Sequence, residues 1–298
     1  MNTSANFAIL LEPRLRKVFF EGYDELPEQF SKVFKVNTSK KAKESDYHVA
    51  GLGLWPEKES AGPIQYEDIN PGLEVNYVHK EYAKGTQVER KFVDDEMYGV
   101  IEKVPRSHGR GGRATVETVA ASVLNDAFTK NGYDGVPLIS ANHPLFGNNG
   151  GTCSNLVSGN PAVSSDAIKN ALILARNTVD DAQLKIQCKP SYIVIPEDLE
   201  FTVGVILKSA QEPGTADNNT NVLRGKLEPI VLDYLTSATA WFLLDKRFEN
   251  LNFFWRVKPE YKREENFDTM VAKYRGYMRF SAGYSDWRGI VGSNGSGV

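Results

Sequence analysis

Residues 103–130, KVPRSHGRGGRATVETVAASVLNDAFTK, carry the longest coherent amphipathic pattern in the chain. Val116, Val119, Ala120, Val123, Leu124, Ala127 and Phe128 recur at three- and four-residue steps, which places them on one stripe of a helix with about 3.6 residues per turn. The pattern predicts a rod with one buried face, roughly 37 Å long from Arg106 to Lys130 at ~1.5 Å per residue. Lys103, Arg106, Arg110 and Arg113 step similarly and predict a basic edge, with Arg113 and Glu117 spaced for an i,i+4 ion pair. Three readings of that edge stay open: a solvated face, ion pairing to a neighbouring chain, or sequence-independent contact with phosphate. GRGGR (109–113) lacks the GxxxxGK[ST] spacing and follows no strand, so it is not a phosphate cradle. Its glycines either loosen the helix or let another backbone come close.

Upstream, Asp94 to Val104 reads as a helical lead-in interrupted at Pro105. Before it, Gly51, Gly53, Pro56, Gly62, Pro63, Pro71 and Gly72 punctuate residues 47–92, while Leu73, Val75 and Tyr77 alternate with polar neighbours. This is strand and turn chemistry. A second strand, Thr86 to Val93, is expected after a turn at Gly85, giving a two-stranded excursion with little core of its own. Ordering each residue costs ~1–2 kcal/mol of backbone entropy, so such a ribbon needs a surface to lie on. Trp55, Tyr66 and Tyr77 are its candidate contact aromatics. In residues 1–36, Leu15, Val18, Phe19 and Tyr23, then Phe30, Val33 and Phe34, predict two short helices either side of Pro27. They are either core helices or an arm that packs on a neighbour.

Downstream, Gly132, Gly135 and Pro137 end the long helix, and SANHPLFGNNGGTCSN (140–155) reads as a surface excursion. Ser164 to Ala182 is a helix capped by Ser164 or Ser165, with Ile168, Leu172, Ile173, Ala175 and Val179 on one face. A strand (191–195), a helix (199–209), a turn-forming loop (212–221) and strands at 230–235 and 240–244 follow. Asn252 to Val257 and Met270 to Gly283 read as long strands joined by the charged loop KPEYKREENFD, and the tail GSNGSGV as frayed.

The chain has 298 residues, 41% of them hydrophobic, which is enough for a sizeable core in one or two domains. A formal charge of -3 argues against a dedicated nucleic-acid binder. Cys153 and Cys188 show neither metal spacing nor disulfide density, which suits a reducing compartment. No apolar run approaches the ~18 residues of a membrane span, so a soluble protein with no membrane partner is expected. Cys153 and His143 share one loop with no evident orienting acid, and His48, His79 and His108 are scattered. No catalytic, cofactor or metal site is therefore expected.

Five motifs occur in order: ASVLNDAF (121–128), DGVPLISANHP (134–144) with GGTCSN (150–155), PGTADNNTNVLRG (213–225), YLTSATAWFLLDKR (234–247) and YRGYMRFSAGYSDWRGIVGS (274–293). With these, the chain resembles the phage major capsid proteins of the Hong Kong 97-type fold, in particular the Mu-like major head subunit family. The resemblance implies an α+β fold with an N-terminal arm (1–36) and an extended loop (48–92) that reaches over a neighbour. It also implies a peripheral domain with a spine helix (37–47, 93–135 and 256–298) and an axial domain (136–255). The expected function is a structural subunit that assembles as pentamers and hexamers into an icosahedral head around double-stranded DNA. An encapsulin-like compartment around cargo enzymes is the alternative. Trp55, Tyr66, Tyr77, Lys58 and Lys80 become candidate intersubunit contacts, and Arg106, Arg110 and Arg113 candidate inner-face or intersubunit cations. Some relatives carry a long N-terminal scaffolding segment; here fold-like sequence begins within a few dozen residues of Met1, so a separate scaffolding protein is expected. A portal and a head-decoration protein are further partners, and contact with packaged DNA would be nonspecific. Lys58, Lys80 and Lys84 have no assignable Asn partner, so no crosslink is expected. The implied location is the virion, after assembly in the bacterial cytoplasm, and removal of Gly51 to Lys84 is expected to leave a folded subunit.

Overall fold

The computed structural model describes residues 4–60, 62–64, 66–67, 71–89, 98–146, 150–213, 219–266 and 271–297. The helices are α1 (Ser4–Asp24), α2 (Tyr98–Asn125), α3 (Ser165–Asn177) and α4 (Glu200–Lys208). The strands in chain order are β1 (Lys35–Thr38), β2 (Lys43–Val49), β3 (Pro71–Val78), β4 (Lys80–Glu89), β5 (His143–Pro144) and β6 (Thr152–Cys153). They continue as β7 (Tyr192–Ile195), β8 (Glu228–Val231), β9 (Trp241–Leu244), β10 (Leu251–Asn266), β11 (Val271–Tyr284) and β12 (Ile290–Ser293).

One sheet has the order β1-β10-β11-β4, with β1 parallel to β10 and the other pairs antiparallel. The second has the order β12-β9-β7-β8. β2 and β3 form a separate antiparallel ribbon. Helix α2 lays Val116, Ala120 and Leu124 on the first sheet, where Phe253 and Phe280 stack with centroids 5.1 Å apart. Each large apolar side chain buried there contributes about 1.5–3 kcal/mol. A second cluster packs Ile168 and Ala171 of α3 and Val203 of α4 against Ile193, Trp241 and Leu243. Ser164 caps α3 by accepting the Ala167 N–H at 3.1 Å. The third cluster is the far end of the long sheet, where Leu15 and Phe19 of α1 cover Tyr261 and Tyr274.

Several expectations change. Residues 4–24 form one helix rather than a short one, and the second predicted helix shrinks to a single 3₁₀ turn, Phe30–Lys32. The carboxylate of Glu117 on α2 accepts the N–H groups of Gln29 and Phe30 at 3.0 and 2.9 Å, which fixes that turn. Pro105 does not interrupt the long helix. It is buried within the helix, which runs on through it. Asp94 lies outside the described residues, so only the later part of that lead-in is seen as helix. Gly109 is where α1 comes closest: a Cβ there would sit 2.1 Å from the Phe19 carbonyl oxygen. Close backbone approach, not loosening, explains that glycine.

The expected turn at Gly85 is absent. Gly85 is mid-strand in β4 opposite Arg275, and the ribbon is built from β2 and β3 instead. The segment KPEYKREENFD is largely strand as well: β10 runs to Asn266, with Glu264 directly opposite Lys273 of β11. Tyr261 points into the core between Glu260 and Lys262, so alternation and cross-strand charge pairing extend the strand through a charged stretch. Residues 267–270 lie outside the described residues. The 140–155 excursion is not wholly at the surface, because His143 and Asn155 are buried. Asn155 donates to the carbonyls of Leu138 and Ile290 and accepts the Ser140 N–H, tying the loop to the core. Strand β8 is shorter than the predicted 230–235, and the tail begins as buried strand at Gly292 and Ser293 rather than frayed.

Candidate assembly surfaces

Between the ribbon strands, residues 50–60 and 62–64 take no regular structure. Gly53 N–H donates to Glu67 Oε2 at 2.9 Å, which closes the segment on itself. Trp55 is 94% exposed and Tyr66 93%, with Leu54 and Ile64 also exposed. An uncovered indole beside such neighbours is unusual for a chain that works alone. Lys58 and Lys80 are exposed, Lys80 on β4 opposite Phe280. Tyr77 differs from its proposed role. It is buried, its hydroxyl lies 2.7 Å from Ser285 Oγ, and its ring packs 4.9 Å from Phe254. Burial pushes its phenol up to about 12. A neighbouring subunit cannot reach it, because alternation along β3 turns it toward the sheet.

The basic edge of α2 meets an acidic edge on α1. Arg106 Nη2 lies 3.6 Å from Glu21, and Arg110 forks onto both carboxylate oxygens of Glu25, with Nε at 2.7 Å. The Glu25 carboxyl is held below its usual value chiefly by that hydrogen bond. Arg113 is only 5% exposed within the subunit, unlike the accessible cation expected on the inner face or at a subunit contact. Its guanidinium stacks 4.0 Å over the Tyr23 ring and reaches Glu28 at 2.8 Å and Asp24 at 3.7 Å. The i,i+4 partner foreseen for it, Glu117, is turned to the Gln29 and Phe30 amides instead. Burial raises the Glu117 carboxyl, and those two donors oppose the rise.

Helix α4 exposes Phe201 (82%) and Val205, about one turn apart, and Val222 and Ile173 of α3 are exposed as well. The sequence reading missed this face. A helix with apolar residues all round carries no signal for which stripe stays uncovered.

His143 and Cys153 are not arranged as a nucleophile and base. They are paired across β5 and β6, yet His143 is fully buried, with Nδ1 2.6 Å from Asp134 and Nε2 3.1 Å from Asn155 Oδ1. Both ring nitrogens are engaged, so the imidazole has none left for a thiol. Burial pushes the Cys188 thiol up to about 12. Among the described residues no group of three or more His, Cys, Asp or Glu could hold a metal, and no helix is long and apolar enough to cross a membrane.

A family model for phage capsid proteins matches residues 72–293. The major capsid protein of Escherichia phage Mu is 23% identical, over 74% of this chain and 95% of that protein. The bacteriophage JBD30 capsid has the same fold at a TM-score of 0.58 and 14% identity, covering 71% of this chain and 92% of that one. The JBD30 procapsid matches 98% of this chain and 76% of that one at a TM-score of 0.53 and 17% identity. A virus-like particle from Pyrococcus furiosus matches at 0.54 and 11% identity, over 95% and 99% of the two chains. The family match runs across most of the sequence: this chain belongs to the phage capsid protein family and is a structural major capsid protein of a phage head.

Proposed function

We propose that copies of this chain form pentamers and hexamers that close an icosahedral head around double-stranded DNA, with the 50–67 segment of each subunit lying over its neighbour. The observation that carries this is the ribbon itself: a segment with an exposed Trp55 and Tyr66 and almost no core of its own. Its ordering entropy is repaid only when another surface covers it. Many such modest contacts, repeated by symmetry, sum to a stable shell. Trp55, Tyr66, Lys58 and Lys80 are the proposed contact residues on this side, and Phe201 and Val205 those around the capsomer axis.

The basic edge of α2 has a smaller role. Arg106 and Arg110 remain exposed enough to exchange Glu21 and Glu25 for phosphate or a neighbour, whereas Arg113 is a packing residue. Contact with DNA would then be weak and sequence-independent. The partners proposed are a separate scaffolding protein, a portal and a decoration protein; the JBD30 capsid is decorated with minor capsid protein trimers. Assembly is assigned to the bacterial cytoplasm. The alternative, a compartment around cargo enzymes, is not favoured, because the sequence likeness runs to a phage capsid protein.

The test is a deletion. Removing Gly51 to Lys84 would destroy β3 and half of β4, and with them the edge of the main sheet, so the informative variant removes only Leu52 to Glu67. The variant and Trp55→Ala/Tyr66→Ala should unfold in urea like the wild type yet fail to form closed particles in negative-stain microscopy. Closed particles of normal yield from the deletion would sink the proposal.

A further inference from the structure

A cluster of charged groups at the root of the ribbon plays no part in the surfaces above. His48 is next to the last residue of β2, and its ring turns inward: Nε2 lies 2.5 Å from Asp181 Oδ2, and Nδ1 lies 4.0 Å from Asp286 Oδ2. Arg288 closes the other side. Its Nη2 reaches Asp181 Oδ1 at 2.9 Å, its Nη1 reaches Asp286 Oδ2 at 3.1 Å, and Nη1 also approaches His48 Nε2 at 3.3 Å. The Tyr133 hydroxyl donates to Asp286 Oδ1 at 3.1 Å, with its ring centroid 6.3 Å from the imidazole. The Phe146 N–H donates to Asp181 Oδ1 at 3.0 Å. Asp134, beside Tyr133, is occupied by His143, and Asp180 faces Gly51.

Five separate parts of the chain meet here: β2, the loop after α3, the segment after α2, the segment after β5, and the turn between β11 and β12. The charge balance is decisive. Asp181 and Asp286 carry two negative charges against the single positive charge of Arg288, and Asp181 and Arg288 are both buried. A proton on His48 makes the cluster neutral. Without it, one uncompensated negative charge sits where water reaches poorly, which is costly. Across the ribbon, Gly72 is packed so tightly on the His48 carbonyl that a Cβ would lie 1.8 Å from its oxygen, so β3 meets β2 backbone to backbone at the root.

We propose that protonation of His48 latches the root of the ribbon to the body of the subunit, and that its loss frees the root, so that pH near neutrality sets how the 50–67 segment is presented. The hydrogen bond to Asp181 raises the His48 value above 6.5 against the opposing effect of burial. The latch is therefore complete below 6.5 and is lost as pH rises through the raised folded value. This concerns one subunit and holds whether or not the shell proposal does.

Hydrogen exchange of the purified full-length chain, corrected for intrinsic rates, tests it between about pH 5.5 and about pH 9. Protection in residues 43–49 and 71–78 should fall as pH rises, by a factor of about ten for each unit by which folding raises the His48 value. Protection in β9 should not change. His48→Gln should lose the pH dependence and stay at the weakly protected limit, while His48→Lys, charged throughout, should stay flat without that loss of protection. Wild-type protection that is flat across the window, or a pH dependence retained in His48→Gln, would overturn the latch. Should a variant misfold, titration of the His48 ring by NMR in the wild type decides alone: a value at or below 6.5 contradicts the proposal.

Discussion

Arg110 and Arg113 lie one turn apart on α2 and look interchangeable in the sequence. They are not. Arg113 is buried under Tyr23 and held by Glu28 and Asp24, so Arg113→Ala removes packing as well as charge and should cost about 1–3 kcal/mol in urea unfolding. Arg110→Ala, at an exposed pair, should leave the midpoint where it is. Equal destabilisation by both would mean that Arg113 is not the packing residue described. Periodicity told that a basic edge exists, but which of its members would be covered depended on where α1 lies, and nothing local encodes that.

Glycines at the scale of helices show the same split. Gly109 and Gly111 are two residues apart in GRGGR. A side chain at 109 would strike the backbone of α1, whereas a side chain at 111 meets nothing within 4 Å. Gly109→Ala should push α1 from α2 and cost several kcal/mol, on the order of other overpacking substitutions or more. Gly111→Ala should stabilise by about 1 kcal/mol through helix propensity alone. Thermal melts of the two variants check both, and a neutral Gly109→Ala would remove the close-approach account. Strand β10 makes the matching point: its charged half carries no hydrophobic run, and only the register against β11, with Lys273 opposite Glu264, makes it a strand.

For the whole molecule, the polar junction at the ribbon root joins β2 to the loop after α3, the segment after α2 and the turn between β11 and β12, and it has two pH limits. Burial acts to raise the Asp181 carboxyl, but His48, the Phe146 N–H and Arg288 outweigh it and hold the group at about 2, below its ordinary 3.8. Its folded value is lowered, so the stability it supplies is complete above 3.8 and is lost as pH falls toward 2. Urea midpoints measured against pH should therefore drop on the acid side, and Asp181→Asn should flatten that limb while lowering the plateau. An unchanged acid limb in that variant would place the acid sensitivity elsewhere.

The amino-acid sequence alone determined the long amphipathic helix, a serine cap at Ser164 or Ser165, the strands around 191–195 and 240–244, and, through five ordered motifs, the capsid family. These are properties of periods, caps and local residue types, each readable within a few turns of chain. It also marked Trp55 and Tyr66 as candidate contact aromatics, and both are exposed, because glycines and prolines around them leave no core to bury them. Only the tertiary structure decided that Tyr77 and Arg113 are buried, that β2 rather than β4 pairs with β3, and that His48, Asp181, Asp286 and Arg288 share one charge balance. Those residues are up to 240 positions apart. Their meeting depends on how two sheets and a helix pack, and long-range packing leaves no periodic trace in the chain that produces it.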